Sequence, residues 1–143
     1  EGSYYRRTEE SRNPELNWMF HGLEDEEILG DFGFSGGGAA GFELDRADIR
    51  LGSPENIQII ARSEKHTSSF VLVPEEMLTH ITNWPGEEEQ QKLIRADLVY
   101  FKTPSGGEVF STGSITFCGS LPWNDFDNNI SRLLENVMKR FLR

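Results

Sequence analysis

The sequence predicts an α/β fold, a mixed sheet with an amphipathic helix at its end. Short apolar runs of strand length, bracketed by polar residues, recur along the chain. One of them, Leu98 to Phe101 (LVYF), is apolar or aromatic at every position, which is typical of a strand that is buried on both faces. The last segment instead repeats its apolar residues at helical spacing, as in a helix that packs on a sheet. This combination favours α/β over all-β.

The first sixteen residues are polar, and we expect a polar arm over 1–16, or a segment that packs on something absent from this chain, ahead of an α/β segment over 17–143. Asn17 to Phe20 (NWMF) predicts a short strand. Ile57 to Ala61 (IQIIA) and Phe70 to Val73 (FVLV) predict two more strands, joined by the loop RSEKHTSS. The whole chain is then a single domain or a fragment of a larger one.

In the second half, Pro74 to Thr82 predicts a short helix, because proline suits the first helical position and acidic residues follow it. Thr103 to Gly107 predicts a turn, and Glu108 to Phe117 then returns as one or two strands, completing a hairpin. The final helix begins after Asp127 or Asn128, either of which can cap it. Its apolar stripe consists of Ile130, Leu133, Leu134, Val137, Met138 and Phe141.

Charge and composition narrow the classes of partner. The net charge is −10 and the isoelectric point about 4.7, which disfavours nucleic acid and anionic lipid. No apolar run approaches the roughly 18 residues of a membrane span. Cys118 is the single cysteine; we expect it to be buried or half-buried and inert, in a reducing compartment such as the cytoplasm. Because the sequence opens on EGSYYRR without an initiator methionine, we expect a fragment of a longer polypeptide or a processed chain.

The stretch FSGGGAAGFELDRAD contains the spacing G-x-G-x-x-G at Gly36, Gly38 and Gly41. A dinucleotide site would need a strand before this loop and a helix after it. The residues that follow contain Gly52 and Pro54 and show no helical stripe, so the spacing does not predict nucleotide binding. A turn or a close backbone crossing is the structural alternative for these glycines.

Two carboxylates just after the glycines are candidate catalytic residues. Glu43 and Asp45 alternate with Phe42 and Leu44, so in an extended segment one pair would face the core and the other a cleft or solvent. A carboxylate in a cleft can act as a general acid or base. His66, in the loop between two predicted strands, is a third candidate, and an exposed or structural histidine is its alternative. The loop LPWNDFDNN reads either as a helix cap with two aromatic residues that close the core or as the rim of a pocket.

Three stretches in register carry a family resemblance: SGGGAAGFELDRAD, RADLVYFKTPSGGEVFSTGSITFCGSL and DNNISRLLENVMKRFL. Together they resemble the C-terminal region of the large (β) subunit of N,N-dimethylformamidase and its relatives. SYYRRTEESRNP and EILGDFGF stand in the expected order, so the resemblance covers nearly the whole chain. It implies the C-terminal part of a class I glutamine-amidotransferase-like (flavodoxin-like) domain.

The resemblance also implies an activity. Enzymes of this family hydrolyse small formamides such as dimethylformamide to an amine and formate, a reaction at a linear amide C–N bond. They use an iron ion held by tyrosine and glutamate ligands, which would lie outside this chain, so Tyr4 and Tyr5 are not expected to bind metal. The acidic residue near that iron maps onto Glu43, with Asp45 as the alternative.

The implied partners are a small amide substrate, the remainder of the large subunit, a small subunit and further copies in an oligomer. The segment would be inactive by itself. A non-catalytic scaffold or subunit-contact module on the same fold is the alternative function.

Overall fold

The computed structural model describes residues 2–73 and 91–143, so the helix expected over Pro74 to Thr82 lies outside the described residues. Two sheets form the β part of this region. The larger sheet has four strands in the order β2-β4-β5-β6, and β1 pairs with β3 in a separate two-stranded sheet. The strands are β1 (Gly2–Ser3), β2 (Tyr5–Arg7), β3 (Ala40–Gly41), β4 (Gln58–Ser63), β5 (Asp97–Lys102) and β6 (Glu108–Ser111).

Helices complete the mixed α/β fold that the sequence predicts. The α-helices that lie wholly within the described ranges are α1 (Phe117–Ser120) and α2 (Asn129–Phe141). Four 3-10 helices join the other elements: Glu10–Arg12, Pro14–Phe20, Ile49–Leu51 and Trp123–Phe126. None of the helices in the described ranges is long and apolar enough to cross a membrane.

The centre of the larger sheet confirms the predicted hairpin. Strand β5 is buried from Asp97 to Tyr100 and pairs with β6 on one side and β4 on the other. All pairings among the described strands are antiparallel. A flavodoxin-like sheet is built on parallel strands. That finer fold is therefore not visible in the residues described here.

Helix α2 confirms the predicted terminal helix and its cap. The Asn128 side chain accepts a hydrogen bond from the Ser131 amide at 2.9 Å, which satisfies one free N–H group of the first turn. Ile130, Leu133 and Val137 are buried in the core, whereas Met138 and Phe141 at the end of the stripe are exposed. The Asn136 amide donates to the carbonyl oxygens of Met19 and His21, both at 2.9 Å, and so ties α2 to the 3-10 helix Pro14–Phe20.

Two predicted strands are wrong. Asn17 to Phe20 belongs to the 3-10 helix, because Pro14 stands at its start and Asn13 accepts a hydrogen bond from the Glu15 amide. Phe70 to Val73 forms no strand, and both neighbours of β4 are already occupied, by β2 and β5. The expected return strand is also shorter than Glu108 to Phe117, since β6 ends at Ser111 and Phe117 begins α1.

The described part of residues 1–16 contacts the rest of the fold through Tyr5. Tyr5 is fully buried in the main core cluster, and it exchanges two backbone hydrogen bonds with Leu29, at 2.9 and 3.0 Å. Its hydroxyl donates to the Thr112 carbonyl oxygen at 2.8 Å, and burial raises the pKa of that hydroxyl far above its usual range. The strand reads as polar because two arginines follow Tyr5, but the Arg7 side chain is only 4% exposed and its guanidinium lies over the Phe20 ring.

Candidate functional site

The glycine-rich stretch is a close backbone crossing, which was the structural alternative for these glycines. Strand β1 runs antiparallel to β3, and the Gly2 amide donates to the Gly36 carbonyl oxygen at 2.7 Å. A Cβ atom on Gly38 would lie only 2.3 Å from the Ser3 carbonyl oxygen, so no other residue fits there without a backbone shift. The next helix is the three-residue 3-10 helix Ile49–Leu51, which has no place in a dinucleotide loop.

The carboxylates that follow lie on the surface. Strand β3 ends at Gly41, and Glu43 and Asp45 are both exposed. The simple alternation predicted for this segment is only half right. Leu44 packs against the core, but Phe42 has a left-handed backbone (φ 62°) and is itself exposed. Phe42 and Glu43 therefore both reach solvent in the region that the structure describes.

The backbone on each side of Glu43 is firmly held. On one side, the Ser114 hydroxyl accepts from the Gly41 amide and donates to the Gly41 carbonyl oxygen, both at 2.8 Å. On the other side, the Asp45 amide donates to Gly113 O at 2.8 Å, and the Asp45 carbonyl oxygen accepts from the Asp97 amide at 2.9 Å. These anchors hold the backbone of Glu43 in place and leave its carboxylate in the open.

Asp97 is the buried charge behind this segment. One of its carboxylate oxygens accepts from the Ala47 amide at 2.9 Å, and the other accepts from Arg95 Nε at 2.9 Å. Arg62 adds a longer ion pair of 3.6 Å from the neighbouring strand β4. A buried carboxylate is stable only when it is paired and hydrogen-bonded in this way. Asp97 therefore has a structural role. Its bonds to Ala47 and Asp45 hold the exposed acidic segment against strand β5.

Asp48 is the last acidic residue of this segment, and its side chain is hydrogen-bonded within the fold. Its side chain accepts from the Arg50 guanidinium at 2.7 and 3.0 Å and from the Arg50 amide at 3.0 Å. These bonds from Arg50 hold the pKa of the Asp48 carboxyl well below its usual range. Glu43 and Asp45 are therefore the carboxylates of this stretch that stay exposed.

His66 lies at a different place. Its Nε2 atom is 2.6 Å from the Ser63 hydroxyl, which also accepts from the Ala96 amide at 2.7 Å. The hydroxyl can donate to a neutral Nε2 or accept from a protonated one, so the tautomer of His66 decides which of the two atoms is the donor. Nδ1 is buried and has no hydrogen-bond partner among the residues that the structure describes, and burial lowers the pKa of the imidazole.

A cavity of about 660 Å³ opens beside His66. Its described lining is rich in cationic side chains, among them Arg62, Lys65 and Arg95, and includes neither Glu43 nor Asp45. The three predicted site residues are thus not joined in one pocket of the described structure. The Ser63–His66 pair was not predicted, although both residues lie in the predicted loop RSEKHTSS with the hydroxyl three residues before the histidine.

Two further sequence expectations concern the region around α1. Cys118 is exposed, not buried, because α1 begins at Phe117 and turns the next side chain outward. In the loop LPWNDFDNN, the cap is confirmed at Asn128, but Trp123 and Phe126 remain 39% and 64% exposed and do not close the core.

A metal centre is not formed by the described residues alone. Within 2–73 and 91–143, no three histidine, cysteine, aspartate or glutamate side chains converge as a metal site would require. An ion bound near Glu43 would need ligands from other residues.

The fold and the site define an α/β segment with an anchored, exposed acidic stretch, and comparison with known proteins gives its family. The family model described as N,N-dimethylformamidase beta subunit-like, C-terminal, matches residues 1–130. The chain is 39% identical over 140 residues to the N,N-dimethylformamidase beta subunit of Alcaligenes sp and equally to that of Paracoccus aminophilus. These alignments cover 98% of this chain and 18% of each relative. The chain therefore belongs to the N,N-dimethylformamidase beta subunit-like family, and it spans about a fifth of the length of the curated relatives it matches.

Proposed function

We propose that this chain is the C-terminal segment of the large subunit of a cytoplasmic amidohydrolase that splits small formamides, such as N,N-dimethylformamide, into an amine and formate. The observation that carries this proposal is the 39% identity over 98% of the chain to two proteins named as N,N-dimethylformamidase beta subunits. Because those relatives are about five times longer, the segment would act with the remainder of the large subunit, a small subunit and further copies in an oligomer. It would be inactive alone.

Glu43 is the residue we propose for the chemistry. Hydrolysis of a formamide needs water to attack the carbonyl carbon and a proton to reach the nitrogen as the C–N bond breaks. A carboxyl group in reach of that nitrogen can take the proton from the water and deliver it to the leaving amine. The support is geometric: the Glu43 backbone is anchored through Gly41 and Asp45, and its carboxylate is exposed toward whatever packs there.

Asp45 is the alternative for this role, since it shares the anchored segment and is also exposed. His66 remains a third candidate, at the separate cationic cavity beside Ser63. An iron ion is part of the proposal, with tyrosine and glutamate ligands in the part of the subunit outside this chain. The same holds for the glutamine-amidotransferase-like domain, whose parallel strands would come from that part.

The test is Glu43→Gln in the full-length enzyme, with Asp45→Asn as the matched control. We expect Glu43→Gln to lower kcat about 10²-fold or more, because removing a general acid–base group costs that much, and to leave KM and the melting temperature nearly unchanged. Asp45→Asn should retain most of the activity. Full turnover by Glu43→Gln would remove Glu43 from the mechanism, and loss of kcat only in Asp45→Asn would transfer the role to Asp45.

A non-catalytic scaffold or subunit-contact module is the second candidate function. It is favoured by large apolar side chains that the described fold leaves on the surface, such as Phe34 at 70% and Phe42 at 61% exposure. Elemental analysis of the full-length protein discriminates the two functions. Stoichiometric iron together with formamide hydrolysis supports the enzyme, whereas protein without iron and without hydrolysis supports the scaffold.

A further inference from the structure

Two stretches distant in sequence lie side by side on the surface, and we call them the seam: residues 34–42 and 114–123. At one end, the Phe34 amide donates to the Gly119 carbonyl oxygen at 3.0 Å. At the other end, Gly41 and Ser114 exchange two hydrogen bonds of 2.8 Å. A Cβ atom on Gly119 would lie 2.6 Å from the Ser35 Cβ, so the two stretches are in close contact along their length.

The inner side of the seam packs into the core, and its outer side is apolar. Ala39, Ala40 and Phe117 are buried in the main core cluster. The outer side carries large exposed side chains: Phe34 at 70%, Phe42 at 61%, Ile115 at 58% and Trp123 at 39%. The rings of Phe34 and Trp123 are 5.2 Å apart, so these two already form a continuous patch. At about 200 Å² for each large side chain, the exposed area of these four side chains is roughly 450 Å².

Charge distinguishes the seam from the rest of the surface. Charged residues make up 27% of the chain, which has a net charge of −10, yet neither stretch of the seam contains one. If both stretches faced water, we would expect them to carry charged residues, as the rest of this acidic protein does. Protein contact surfaces are depleted in charge at their centre and enriched in aromatic residues. The seam has both properties.

Backbone strain occurs at both ends of the seam. Phe42 has a φ of 62° at one end. Just beyond the other end, Asn124, Asp125 and Phe126 follow one another with φ of 50°, 53° and 67°. Left-handed backbone in residues other than glycine costs free energy and is concentrated at functional surfaces. The strain directs Phe42 and Phe126 outward, where they are 61% and 64% exposed.

We infer that the seam is the contact surface for the part of the same large-subunit polypeptide that lies outside this chain. The length of the relatives indicates what covers the seam. This chain matches 18% of each curated relative, so most of such a subunit is available to pack on the seam. Glu43 adjoins Phe42, so this contact would bring the rest of the subunit over Glu43. The inference goes beyond the proposed function, because the surface would be covered whether or not Glu43 is catalytic.

Photo-crosslinking in the full-length protein tests the occupant. Phe34 is replaced by p-benzoylphenylalanine, which keeps an aromatic ring at that position, and Ser105 in the exposed turn between β5 and β6 is the control position. We expect irradiation to join position 34 to peptides of the same polypeptide outside this segment, with at least about ten-fold higher yield than position 105. A mixture of heavy- and light-isotope protein separates contacts within one chain from contacts between copies. Crosslinks between copies, to another polypeptide, or to this segment alone would overturn the inference.

The native thiol gives a second measurement that needs no substitution. Cys118 is exposed in the middle of the seam, and nothing in the described fold protects it. Alkylation by iodoacetamide is followed on the Cys118 peptide by mass spectrometry, in the native full-length protein and in urea. We expect the native rate to be at least about ten-fold lower than the rate in urea. Equal rates would show that the seam is open to solvent and would overturn the inference, while the Glu43→Gln result would stand unaffected.

Discussion

At the scale of single residues, burial and hydrogen bonding decide which titratable groups stay available. Asp48 is held by Arg50, Asp97 is buried beside Arg95 and the Ala47 amide, and Glu43 and Asp45 remain exposed. Glu43, Asp45 and Asp48 lie close together in the sequence, which could not separate their roles, because these depend on which arginine or amide reaches each one. His66 stays a predicted site residue, and its contact with Ser63 was not predicted.

A prediction at this scale concerns the titration of His66. Burial lowers the pKa of its imidazole below the usual value of about 6.5, so the neutral form should persist to lower pH in the folded protein. Stability that depends on neutral His66 is therefore present above pH 6.5 and is lost as pH falls below that value toward the folded pKa. Diethylpyrocarbonate, which modifies only neutral imidazole, measures this through the pH dependence of the modification rate at the His66 peptide.

The urea-unfolded protein is the control for His66, because it reports the same peptide without burial. The midpoint of the pH profile should lie lower in the folded protein than in urea. A folded midpoint at or above the unfolded one would contradict the burial of His66 that the structure shows.

At the scale of elements, those with a local sequence signal were predicted correctly, whereas those that depend on long-range pairing were not. Helix α2, its Asn128 cap and the β5–β6 hairpin were predicted because their signals lie within a few consecutive residues. Asn17 to Phe20, the last part of the 3-10 helix Pro14–Phe20, was predicted as a strand, since four apolar-rich residues suit either element. Phe70 to Val73 has strand composition but no strand beside it, and composition alone does not provide a partner.

A prediction at this scale uses the crossing of β1 over the glycine-rich stretch. In Gly38→Ala, the new Cβ atom would meet the Ser3 backbone at 2.3 Å, so the β1–β3 pair must shift. Gly37→Ala is the matched control, since a Cβ atom there meets nothing within 4 Å and only its φ of 84° is unfavourable. We expect a loss of about 3 kcal/mol for Gly38→Ala and about 1 kcal/mol for Gly37→Ala.

Urea denaturation of the purified protein, followed by tryptophan fluorescence, measures both glycine variants. Similar losses in the two variants would mean that the contact between Gly38 and Ser3 is looser than the structure shows.

At the scale of the whole molecule, Asp97 joins parts that are far apart in sequence. It pairs with Arg62 of β4 and with Arg95, it accepts from Ala47, and its own amide bonds to Asp45. The acidic segment is thus fixed to the central strand of the larger sheet. Its position depends on the sheet, so a change at Asp97 should affect both the stability of the fold and the placement of Glu43.

The prediction at this scale is that Asp97→Asn lowers the free energy of unfolding by about 2 kcal/mol, because a buried charge-assisted pair is lost while the shape is kept. In the full-length enzyme, kcat should fall as well if Glu43 is catalytic. Glu135→Gln is the control, since Glu135 pairs with Arg132 and Lys139 only on the exposed face of α2, where a charge change should leave stability unaltered. Equal stability of both variants would show that the pairing of Asp97 is not needed for the fold.

The sequence by itself determined the α/β class, the hairpin, the capped terminal helix and the family, because periodicity, capping and motifs are written in neighbouring residues. The tertiary structure decided what the glycines do, where residues 2–7 lie and which surface the seam presents. Each of these depends on contacts between distant residues, such as the bond from Asn136 to Met19 across 117 positions. A polar or glycine-rich stretch carries no local signal for such a contact. Only the tertiary structure therefore shows that β1 packs against Gly38 and that Glu43 faces outward beside an uncharged surface.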